Sequence, residues 1–144
     1  MKRQNGQKFA DKHDSDAKTD DRIKIALEQQ TKNNEVPCAV AFNIAETLQV
    51  TPADIGKTAD LLEMALVKCQ LGLFGYKPDK KIVKPKAPEH SDLEKAIRDA
   101  LSDGKLPCRK AWDIARRQDL SKMTISAVCE HLKIKIKPCQ LGAF

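Results

Sequence analysis

The chain repeats itself without a gap. Moved forward by 70 positions, the stretch from Pro37 to Phe74 lies on the stretch from Pro107 to Phe144. Pro37/Pro107, Cys38/Cys108, Ala41/Ala111, Ile44/Ile114, Ala45/Ala115, Ile55/Ile125 and Leu62/Leu132 coincide, as does the whole CQLG tetrapeptide at Cys69–Gly72 and Cys139–Gly142. Other pairs change only in kind, such as Val36/Leu106, Thr51/Ser121 and Leu66/Ile136. Chance does not hold a register over this length, so fold and function are to be read from one unit used twice.

The repeat divides the 144 residues into a polar, charge-mixed tail at 1–20, unit one at 21–76, a lysine- and proline-rich linker at 77–90 and unit two at 91–144. The tail has Phe9 as its only large apolar side chain and is expected to be disordered. A unit of about 54 residues is marginal for a single core. Aromatic residues are few, and the apolar side chains are mainly Ala, Leu, Ile and Val, which suits small helices. The linker, with prolines among lysines, reads as a solvated, semi-rigid spacer reaching up to about 40 Å.

Within a unit the periodicity predicts three helices. The first carries Ile23, Ala26 and Leu27, or Leu93, Ala96, Ile97 and Leu101, and is closed by Asn33-Asn34 or Asp103-Gly104. An extended piece ending in Pro37 or Pro107 follows. The second helix spans about 38–48 and 108–118, with Ala41, Ile44, Ala45 and Leu48 as its inner stripe in unit one. After a break, Thr51 or Ser121 caps the third helix, on which Ile55, Thr58 and Leu62, or Ile125, Val128 and Leu132, face inward. The strict alternation Lys133-Ile134-Lys135-Ile136-Lys137 predicts a half-buried strand. Its counterpart Glu63–Val67 is weaker and also fits the end of a helix. CQLG reads as a turn, after which Phe74 or Phe144 folds back on the core.

The net charge of +6 is unevenly placed. Unit one has −2, the linker +3 and unit two +4, and a basic half points to a polyanionic partner. The five cysteines include the repeat pairs Cys38/Cys69 and Cys108/Cys139. Four thiols are a conceivable zinc or redox set, but they lack the close C-x-x-C spacing of structural zinc sites, and packing as small hydrophobes is the favoured reading. No cofactor is expected. There is no signal-like segment, apolar span, glycine-rich phosphate loop, nucleophile–base set or paired acidic cluster. A cytoplasmic protein that is not an enzyme, inserts in no membrane and takes no small-molecule substrate is therefore expected.

The second and third helices resemble the helix-turn-helix family of DNA-binding domains. That pattern places an alanine where the two helices cross, with aliphatic residues before it and five and ten positions after it. Here Ala45 has Ile44, Val50 and Ile55, and Ala115 has Ile114, Leu120 and Ile125, side chains suited to filling the angle between two crossing helices. The family often has glycine at the turn, whereas this chain has Gln49 and Asp119. The order of elements is similar to the winged-helix subgroup with its wing truncated, since two residues follow Gly142. The expectation is thus a mainly α protein of two tandem helix-turn-helix or winged-helix-like units, each with three helices and a short strand after helix three.

The resemblance implies that the third helix enters the major groove with its first residues facing base edges. These are Thr51, Pro52, Ala53, Gly56 and Lys57 in unit one, and Ser121, Lys122, Met123, Ser126 and Ala127 in unit two. They include no Arg, Asn or Gln, the strongest base readers. Backbone contacts are better supplied. Arg109, Lys110, Arg116, Arg117 and Lys122 are placed to meet phosphates, with Lys133, Lys135 and Lys137 adding to them. Unit one has Ala39, Val40, Glu46 and Thr47 where unit two has Arg109, Lys110, Arg116 and Arg117. The expected function is weakly specific DNA binding in transcriptional regulation, mainly by unit two, with unit one engaging a protein. The alternatives are a protein–protein interaction module on the same fold and, behind it, a thiol-based redox or metal sensor.

Overall fold

A computed structural model describes residues 20–78 and 80–143; the expected disordered tail, apart from Asp20, and the packing of Phe144 lie outside them. The protein is mainly helical. Its elements are α1 (Asp21–Gln30), β1 (Glu35–Pro37), α2 (Cys38–Leu48), α3 (Pro52–Leu61), β2 (Ala65–Val67), α4 (Ser91–Asp99), α5 (Cys108–Gln118) and α6 (Lys122–Leu132). No described helix is long and apolar enough to cross a membrane.

Local chemistry sets the helix ends, and it does so twice. The α2–α3 turn is made by Gln49 at φ 56°, ψ 45°, and the α5–α6 turn by Asp119 at φ 54°, ψ 46°. Both take the left-handed conformation that glycine adopts at lower cost. The next amide in each unit turns back on the helix: Val50 N donates to Ala45 O at 3.0 Å and Leu120 N to Ala115 O at 2.8 Å, which satisfies carbonyls that a helix end leaves open. The following hydroxyl starts the next helix. Thr51 accepts from Asp54 N while the Asp54 carboxylate accepts from Thr51 N, a reciprocal capping box. Ser121 accepts from Thr124 N at 3.1 Å. The turn at Asn33-Asn34 and Asp103-Gly104 also has positive φ, but it falls after α1 and α4 have already ended at Gln30 and Asp99.

The core follows the repeat. Ile23, Leu27, Val36, Ala41, Ile44, Ala45, Ile55 and Ala59 are buried in unit one, and Leu93, Ile97, Leu106, Ala111, Ile114, Ala115, Ile125 and Cys129 occupy the matching positions in unit two. Several expected core side chains depart from this. Leu120 is 36% exposed, and Leu48, Val50, Leu62 and Leu132 are half-buried.

The strand prediction inverts. Lys133, where alternation begins, is left-handed at φ 60° and closes α6 by donating to the Cys129 and Glu130 carbonyls. Only Ile136 then pairs, in a single parallel bridge to Leu106. The weaker pattern in unit one forms the longer pairing, β1 parallel to β2 with Val36 opposite Leu66. A hairpin wing needs antiparallel strands, whereas α3 leads into one strand lying parallel to β1.

The compact units differ from the sequence repeats at their ends. Unit one comprises residues up to Cys69 together with Leu141–Ala143, and unit two runs from Gln70 to Gln140. Each repeat's closing turn therefore belongs to the unit built mainly by the other. In unit one the Leu141 main chain lies against Gly56. In unit two the turn after Cys69, with Gly72 at φ 74°, lies beside Met123. The linker is not a free spacer either. Ile82 N and Val83 N donate to Gly72 O at 2.9 and 3.2 Å, Lys86 N donates to Ala127 O at 3.0 Å, Lys81 pairs with Glu130, and Val83 is buried. Gly72, Lys81 and Lys86 thus lie against α6.

Candidate nucleic-acid interface

Helix α5 has one face in the core and one in solvent. Cys108, Ala111, Ile114 and Ala115 are buried. The turns between them place Arg109, Lys110, Arg116 and Arg117 outward, and all four are exposed. From Arg109 to Arg117 the helix rises about 12 Å. Among the described residues Arg109, Lys110 and Arg117 have no ion-pair partner. Arg116 reaches Asp113 at 3.5 Å, with side chains 80% and 44% exposed, a pairing that water largely screens. Lys110, Asp113, Arg116 and Arg117 line a shallow opening of about 450 Å³ with Ala100. Arg117 also borders a neighbouring opening of about 420 Å³, shared with Asp92, Lys95 and Asp99 of α4.

The third helices are placed differently from the expectation. Residues 125–129 of α6 are all buried, and Ser126 is fully so, which removes it from any nucleic-acid contact. Gly56, at the same repeat position, and Ala127 are buried as well. They are covered by the Leu141 main chain on Gly56, and by Gly72, Lys81 and Lys86 on α6. Lys122 is also committed elsewhere. Its ammonium lies 4.0 Å above the Trp112 ring and donates to Gln70 Oε1 at 2.9 Å. Ser121 and Thr51 are exposed, but their hydroxyls serve as helix caps. Lys57 is exposed on α3 with no ion-pair partner among the described residues.

Lys105 is not singled out by the sequence reading. It precedes Leu106, as Lys135 precedes the bridge partner Ile136, and the signal for it was the apolar residue that comes after each lysine.

Cys38, Cys69, Cys108 and Cys129 are buried and Cys139 is half-buried. Burial pushes the Cys129 thiol up to about 12, with the neighbouring Glu130 charge adding to it. Gln140 Nε2 donates to Cys108 Sγ at 3.4 Å. Among the described residues no three His, Cys, Asp or Glu side chains are grouped so as to hold a metal ion.

In comparisons with known proteins, the chain matches no family model, and no curated protein or solved structure shows significant similarity to it.

Proposed function

We propose that the protein binds duplex DNA through phosphates, using the outer face of α5 in unit two, and that α2–α3 and α5–α6 are truncated winged-helix-type helix-turn-helix pairs. The observation that carries this reading is the set of four exposed cations on α5, three of them without an ion-pair partner among the described residues, at positions where unit one has Ala39, Val40, Glu46 and Thr47. Cations held outward on a rigid helix are suited to phosphate contact, and such contact carries no sequence information directly. The cover over α6 and over Gly56 in α3 argues against base reading by those faces, so the binding is sequence-tolerant. A regulatory role in transcription is part of this proposal. The test is duplex affinity measured by fluorescence anisotropy over a salt series. Four phosphate contacts on α5 contribute about −3.6 to the log–log slope. A second reading, a protein-docking module on the same fold, requires no salt-dependent affinity for DNA.

A further inference from the structure

Leu106 and Ile136 are both buried and lie side by side in a parallel bridge, with Leu106 N donating to Lys135 O at 2.9 Å and Lys137 N to Leu106 O at 2.8 Å. The residues flanking these two apolar side chains are largely exposed. They include Lys105, Lys135 and Lys137, all exposed and, among the described residues, without an ion-pair partner. Lys105 and Lys135 each precede a residue of the bridge, and Lys105 itself pairs with Ser102 in an antiparallel bridge. The parallel pairing is shorter than in unit one, where Ala65 N also donates to Asn34 O at 2.8 Å. Unit one has Glu35, Ala65 and Val67 at the corresponding positions, all half-buried. The same scaffold thus accommodates a row without lysines, and unit two carries three uncompensated charges on it. This row joins α5 directly. Cys108 N, at the start of the helix, donates to Pro138 O at 3.1 Å, next to Lys137, and Arg109 comes four residues after Lys105.

We infer that Lys105, Lys135 and Lys137 form a second phosphate-binding surface, continuous with the first turn of α5 and contacting the same nucleic-acid backbone. The inference rests on the reading of unit two as the DNA-binding unit, and the experiment separates the two. Duplex affinity is measured over a salt series for the full chain, for Lys105→Gln/Lys135→Gln/Lys137→Gln, for the matching triple Lys→Arg variant, and for Arg109→Gln/Lys110→Gln/Arg116→Gln/Arg117→Gln. Three lost phosphate contacts make the slope shallower by about 2.7 in the Gln triple, and the Arg triple keeps the wild-type slope. An unchanged slope in the Gln triple, with a flattened slope in the α5 variant, overturns the lysine surface and leaves the α5 reading standing. Wild-type protein without salt-dependent affinity overturns both.

Discussion

The main-chain carbonyl of Leu141 occupies the space that a side chain on Gly56 would need. The obstacle is backbone, so a rotamer change does not relieve it. Gly56→Ala is expected to destabilise the protein by about 2 kcal/mol, the overpacking cost less the gain in helix propensity. The position 70 residues on behaves in the opposite way. Ser126 is fully buried, and its hydroxyl has no hydrogen-bond partner among the described residues. Ser126→Ala removes that group and is expected to stabilise by about 1 kcal/mol. Urea unfolding of both variants checks the pair, and equal effects of the same sign would contradict it.

Because Leu141–Ala143 belong to unit one, a chain ending at Gln140 loses cover from the unit that is distant in sequence. Hydrogen exchange is expected to accelerate at the amides of α3, which carries Gly56, while α6 amides keep their protection. Acceleration confined to α6 would show that the closing turn serves its own repeat.

Lys122 is held by Trp112 and Gln70. Lys122→Ala is expected to cost about 1–2 kcal/mol of stability, from the lost ring contact and hydrogen bond, with no change in the salt slope of duplex binding. A shallower slope at unchanged stability would make Lys122 a phosphate contact after all.

Cys129 carries a pH dependence whose sign is fixed by burial. Its thiol titrates near 12 when folded, against an ordinary value of 9.0. Below pH 9 both states are neutral, and the contribution to stability is fully present. Above pH 9 the unfolded thiol ionises first, so stability falls by about 1.4 kcal/mol per pH unit until the folded thiol also ionises. Urea midpoints from pH 8 upward check this against Cys129→Ala, which lacks this share of the decline.

What was legible in the sequence was local. The left-handed turns at Gln49 and Asp119, the caps at Thr51 and Ser121, and the buried stripe through Ala45 and Ile55 come from side-chain chemistry within a few residues. The placement of Leu141 on Gly56 and of Gly72, Lys81 and Lys86 on α6 was not legible, because a repeat pattern says which residues are apolar and not which copy covers them. Hence Ser126 read as a helix-face contact when it is enclosed. The lysine alternation from Lys133 misled for a related reason: period two appears equally in a strand and in a left-handed cap followed by one bridge. The exposure of Arg109, Lys110, Arg116 and Arg117 was legible, since it needed only an outward helix face.

Amide chemical-shift mapping during titration with a short duplex tests the central claim most directly. Shifts are expected on α5 from Arg109 to Arg117 and around Lys105, Lys135 and Lys137, with α2 unchanged. Shifts centred on the first turns of α3 and α6, or no shifts at all, would contradict backbone binding by the outer face of unit two.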